Sequence, residues 1–140
     1  MRFFRVAMLA SIASIAYGIC DLVFSWNPLA AAPWLAHRAE PAFRAHPALA
    51  VGFVTECANG WIATLAFLLV EKSLPRALLR RALAFGAVVW GLWVVSGTAT
   101  AYVWLDLPPS LALANLAFGL PKCVCIAGAI ALAHARLFRR

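Results

Sequence analysis

The chain has 140 residues, 65% hydrophobic and only 12% charged, with twelve lysines and arginines against five acids for a formal net charge of +7. Soluble domains carry about 45–50% apolar and about 25% charged residues, so this composition excludes a water-soluble globular domain and points to the membrane. The basic excess then bears on topology, and no nucleic-acid partner is expected.

A helix needs about 20 apolar residues to cross a hydrocarbon core of ~30 Å, and four segments qualify: residues 4–24, 48–70, 82–104 and 110–133. The expected fold is an all-α, polytopic membrane protein, an antiparallel bundle of four transmembrane helices in one domain over residues 1–140. The first segment follows Arg2 and Arg5 and has a small-residue stretch at Ser14-Ile15-Ala16, features shared with signal peptides; it is expected to be retained as a span. Residues three or four apart share a helix face. On the first helix Ser11, Ser14, Gly18 and Asp21 align in this way.

The first loop, residues 26–47, is the only sizeable extramembrane segment and is punctuated by Pro28, Pro33, Pro41 and Pro47. A short interfacial segment starting near Pro33 would turn Trp34 to the membrane and Arg38 to water. With Trp26 and Phe43 it reads as an aromatic anchor, or as a lid over an outer pocket. The second helix aligns Gly52, Glu56, Asn59 and Ala63. On the third, Gly86, Trp90, Trp93, Gly97 and Thr100 make a seam of small and aromatic residues, an apolar wall with Ser96 and Thr98 as modest hydrogen-bonding groups. The fourth carries Ala112, Asn115, Gly119 and Lys122. There Pro121 removes one backbone donor and frees a carbonyl near Ala117.

Charge fixes the expected orientation. Nine of the twelve basic residues fall on one side: Arg2 and Arg5, then Lys72, Arg76, Arg80 and Arg81 in the second loop, then Arg136, Arg139 and Arg140. The first loop holds Arg38 and Arg44 and the third loop none. By the positive-inside bias both termini are cytoplasmic, in what the alanine- and arginine-rich usage suggests is a bacterial inner membrane. The basic rim is also expected to attract anionic lipid, at about 1 kcal/mol per residue near the surface.

Three ionisable groups, Asp21, Glu56 and Lys122, lie inside otherwise apolar stretches, where a charge is costly and marks a functional site or a structural pair. A rise of ~1.5 Å per residue places them roughly 5, 12 and 18 Å from the outer end. Lys122 can snorkel outward, so all three heads are expected to converge in the outer half. Two acids against one base leave a formal charge of minus one, which a proton, a cation or a basic ligand would complete. The structural alternative has Lys122 pair with one acid to hold helices two and four together. Asn59 and Asn115 share the faces of Glu56 and Lys122 and could orient them.

Cys20, Cys57 and Cys123 adjoin these charges, but no Cys-x-x-Cys redox motif is present. The side chains of Cys123 and Cys125 diverge by about 200° on a helix. Soft-metal binding by the three cysteines is a minor alternative to their role as small core residues. His37, His46 and His134 match no metal signature. No metal or cofactor is expected.

An acid near the outer end of helix one, Asp21 in ICDLVFSW, then a proline-rich loop, then Glu56 about ten residues after the proline opening helix two in HPALAVGFVT, resembles the EXPERA group. This group of four-helix membrane proteins includes the emopamil-binding sterol isomerases and the sigma-2 receptor. The resemblance covers the first half of the chain. It implies that the paired acids bind a cationic amphiphile or act on a sterol double bond. Lys122 has no counterpart in that pattern and the isomerase histidine is missing from the helices, so binding is the part that carries over.

The expected function is therefore binding of a small amphipathic, lipid-like or cationic ligand in an outer-half pocket. Asp21 and Glu56 would be its anionic contacts, Lys122 would set their protonation or meet an anionic group, and Trp90 and Trp93 would hold the apolar part. A non-catalytic accessory subunit of a larger membrane complex is one alternative. Proton-coupled transport by a homodimer is another. No nucleophile-and-base pair is recognisable, so a binding protein rather than an enzyme is expected.

Overall fold

A computed structural model of the chain describes residues 2–25, 49–104 and 108–138, with positions 32, 33 and 36 of the first loop. The interfacial segment expected in that loop, with Trp26, Trp34, Arg38 and Phe43, lies outside the described residues. Among the described residues all regular structure is helical: α1 Arg2–Ser25, α2 Leu49–Val70, α3 Leu78–Val89, α4 Ser96–Trp104 and α5 Pro109–Leu137. A π-helical segment, Trp90–Val95, joins α3 to α4, making one span of 27 residues, Leu78–Trp104. Four helices are thus long and apolar enough to cross a membrane. Lipid offers no partner for a free N–H or C=O, so each helix satisfies its backbone internally.

Two boundaries differ from expectation. The third span begins at Leu78 and takes Arg80 and Arg81 into its first turns, and the fourth runs on to Leu137, taking in His134 and Arg136. At ~1.5 Å per residue a 29-residue helix exceeds the hydrocarbon thickness by about 13 Å. Its end therefore reaches the headgroup layer, where charge ceases to be a stop signal. The turn between α2 and α3 is short. A 3-10 turn at Glu71–Ser73 closes α2, and Leu74 is extended at φ −81°, ψ 150°, as the residue before a proline prefers. Pro109 opens α5 in its first turn, where its missing N–H costs nothing.

Packing runs in a chain: α1 lies against both α2 and α5, and α5 also lies against α3. One buried cluster joins the four spans. Leu9, Ala13 and Tyr17 come from α1, Ala63 and Phe67 from α2, Phe85 from α3, and Ile126, Ala127 and Ile130 from α5. Phe67 and Phe85 meet edge to face with centroids 5.1 Å apart. In lipid, association depends on close packing rather than on a hydrophobic drive, and two glycines supply it. A Cβ on Gly60 would overlap the Ser14 backbone, and one on Gly86 would lie 2.7 Å from the Val124 Cα.

The inward faces are partly those expected. On α2, Glu56 and Ala63 lie on the face that carries the buried Gly60 and Thr64. On α1, Ser11 is exposed and the buried positions are Leu9, Ala10, Ala13 and Tyr17, because α1 has neighbours on two sides. The wall expected from Trp90 and Trp93 is split. A π turn is wider than an α turn, so residues three apart no longer stack. Trp90 is half-buried whereas Trp93 is 42% exposed, and Thr98 is the buried position beyond it.

Candidate functional site

Lys122 forms an ion pair with Asp21, its Nζ donating to Oδ1. The pair joins α5 to α1, not α5 to α2 as the structural alternative had it. Both groups keep partial access, with 24% of the lysine side chain and 37% of the aspartate exposed. Lys122 Nζ also lies 5.8 Å from the Tyr17 ring centroid, within the range of a cation–π contact. Tyr17 precedes Asp21 by one turn, so both point to α5.

Glu56 forms no ion pair among the described residues, so the expected three-way convergence reduces to a pair and a remaining acid. Its Oε2 is buried and, among the described residues, has no hydrogen-bond partner. A buried polar atom left without a partner costs about 1–3 kcal/mol. Thr64 Oγ1 is in the same condition two turns further along α2. With Gly60 between them, Glu56 and Thr64 mark one face at a spacing of four.

What lies opposite that face changes along α1. At Ser14 the helices touch. The Ser14 hydroxyl is shared between the Ala10 carbonyl of its own helix at 2.9 Å and the Cys57 carbonyl of α2 at 3.2 Å. Gly18 is one turn further on the same side of α1, and a Cβ placed there would meet nothing within 4 Å. Contact is therefore tight at Ser14–Gly60 and open at Gly18.

The remaining expected site residues lie apart. Asn59 and Asn115 are half-buried and, among the described residues, neither makes a side-chain hydrogen bond to Asp21, Glu56 or Lys122. Trp90 is engaged with α5: its indole N–H donates to the Leu116 carbonyl at 3.0 Å, one residue from the Ala117 carbonyl that Pro121 frees. Gly119 makes this approach feasible, since a Cβ there would be 2.6 Å from Val94 Cγ1. Cys20, Cys57, Cys123 and Cys125 are free thiols, and no group of three or more metal-ligating side chains gathers among the described residues.

Tyr17 is the site residue that sequence reasoning passed over. It is 6% exposed and sits beside the ion pair. The signal was available in its position four residues before Asp21, which places it on the same helix face. A second polar cluster lies at the opposite end of the bundle. There His134 Nε2 is 2.6 Å from Glu71 Oε2, and the imidazole stacks on Phe138 at 4.7 Å.

Comparison with protein-family models, curated proteins and solved structures returns no match. Whatever can be said of function rests on this geometry.

Proposed function

We propose that the chain is an antiparallel four-helix bundle of the bacterial inner membrane, both termini cytoplasmic, that binds a small cationic, amphipathic or lipid-like ligand in its outer half. Glu56 is the principal contact. The observation that carries this is the buried Glu56 Oε2, without a partner among the described residues; one turn beyond the Ser14 contact on α1, Gly18 leaves open space. A ligand bearing a protonated amine would supply the missing donor through a charge-assisted hydrogen bond, and its apolar part would lie in the space that Gly18 leaves.

The ion pair takes a supporting role. Lys122 and Asp21 satisfy each other, which leaves the unbalanced charge on Glu56 and fixes α1 against α5. Tyr17, a member of the buried cluster, lies beside the pair. An antiparallel arrangement is supported by the contacts between α1 and α5, which move from Arg5 to Asp21 on one and from Phe138 back to Lys122 on the other. The reading agrees with what the EXPERA resemblance implies for Asp21 and Glu56, with Glu56 as the binding acid and Asp21 as the paired one.

The test uses N,N-dimethyldodecylamine, a tertiary amine that is cationic at neutral pH, added to the purified protein in neutral detergent and read by native mass spectrometry. Losing a charge-assisted hydrogen bond of about 1.5–3 kcal/mol should weaken retention in Glu56→Gln by about 10- to 100-fold. Gly18→Leu, which fills the gap and keeps the carboxylate, should lose retention as well. Retention equal to that of the unaltered protein in both variants would overturn the proposal.

A further inference from the structure

We propose that the groove between the start of α3 and the end of α5 is a binding site for the phosphate of an anionic phospholipid. It lies at the other end of the bundle from Glu56 and does not depend on the function proposed there. The groove has a volume of ≈ 400 Å³, within the range of about 300–1,000 Å³ usual for ligand sites. Arg76, Arg81 and Arg136 line it together with Leu78, Leu132 and Ala135.

Three arginines line one opening, and none is paired with a carboxylate among the described residues. Like charges gathered this way repel one another unless an anion lies between them. Arg81 is already held for the purpose: its Nε–H donates to the Pro75 carbonyl at 2.9 Å. Among the described residues the two terminal nitrogens make no hydrogen bond, which leaves their four N–H groups for a ligand. A planar fork of that kind matches two phosphate oxygens at once.

The apolar part of the lining selects the source of the phosphate. Leu78 is 46% and Leu132 42% exposed, each beside an arginine on the lining of the same groove. On α5 Leu132 precedes Arg136 by one helical turn, about 6 Å, so there apolar surface lies on the bilayer side of the charge, while on α3 Leu78 lies at the mouth of the groove ahead of Arg81. A phospholipid has the same order, with the phosphate outward and the glycerol and acyl carbons inward. A free phosphate would leave the leucines uncovered. Anionic lipid is favoured over zwitterionic lipid because only the former brings net negative charge to three unpaired cations.

The test compares phosphatidylglycerol with phosphatidylcholine of the same acyl chains, supplied in equal amounts in neutral detergent micelles, with bound lipid counted by native mass spectrometry. The unaltered protein should retain phosphatidylglycerol in preference by about tenfold or more, the ratio expected of a few kilocalories shared among three cations. Arg81→Lys with Arg136→Lys keeps the net charge but loses the fork, and should cut the preference several-fold. Leu132→Gln should lower retention with every charge in place. Lys72→Gln with Arg80→Gln, which removes two charges that do not line the groove, should leave the preference intact.

Equal retention of the two lipids would overturn the proposal. So would an equal loss in the Lys72/Arg80 variant, since diffuse charge would then suffice. Displacement of the lipid by excess inorganic phosphate would overturn the lipid assignment by placing all the affinity in the anion.

Discussion

Placing a lysine or aspartate at the centre of a membrane helix costs about 2.5–3.5 kcal/mol on insertion scales, and removing one partner of a buried pair leaves that cost with the other. Asp21 and Lys122 are partly accessible, so the penalty here is discounted by solvent screening. Asp21→Asn should destabilise the folded protein by about 1–3 kcal/mol, read from unfolding by added sodium dodecyl sulfate in mixed micelles. Replacing both groups, Asp21→Asn with Lys122→Met, should recover more than half of that loss. A double variant no more stable than the single one would show that the pair does not couple α1 to α5. Glu56→Gln should behave differently, because it removes a carboxylate whose buried oxygen has no partner among the described residues; its stability should stay level or rise while amine retention falls. The imbalance of two acids against one base was legible in the sequence. Which acid stood alone was not, because depth counting puts Glu56 nearer than Asp21 to Lys122 and ignores the rotation of each helix about its own axis.

Between helices the deciding residues are the smallest. Gly60 sits where α1 and α2 touch, and any side chain there must push against the Ser14 backbone. Gly60→Val should cost about 1–3 kcal/mol, the usual penalty of overpacking. Gly97→Ala is the contrasting case. A Cβ there meets nothing within 4 Å, so the higher helix propensity of alanine should stabilise by up to about 1 kcal/mol. Both are read in the same detergent titration, and an equal response at the two positions would remove Gly60 as the determinant of the α1–α2 approach. The spacing of small and polar residues did locate the inward face of α2 through Glu56 and Ala63. It favoured Asn59 over Gly60, because a polar side chain attracts notice in an apolar segment and an absent side chain does not. On the third span no such reasoning could succeed past Trp90. The π segment Trp90–Val95 shifts every later residue around the helix, and its stabilisation comes from outside, in the Trp90 bond to Leu116 and the fit of Val94 over Gly119.

At the scale of the molecule, four spans follow from length and hydropathy alone, since only about 20 residues are needed for each crossing. The pattern of packing, with α1 against both α2 and α5 and α3 against α5, does not follow, because lipid-facing and helix-facing surfaces are both apolar and the pattern that separates inside from outside in a soluble protein is absent. Orientation is a different matter, as it depends on charges outside the membrane. Nine lysines and arginines lie at the two chain ends and around the second loop against two in the first loop, and under the proposed topology this bias would put the nine on the cytoplasmic side. Green fluorescent protein fused after Arg140 in a bacterial host should therefore fluoresce, and alkaline phosphatase at the same position should be inactive, whereas phosphatase inserted after Arg44 should be active. Replacing Lys72, Arg76, Arg80 and Arg81 by glutamine leaves five against two and removes all charge from the second loop. That variant should insert in both orientations and give partial signal from both C-terminal reporters. Full phosphatase activity at the C-terminus of the unaltered chain would invert the arrangement, placing Glu56 in the cytoplasmic half and the arginine groove on the outer leaflet.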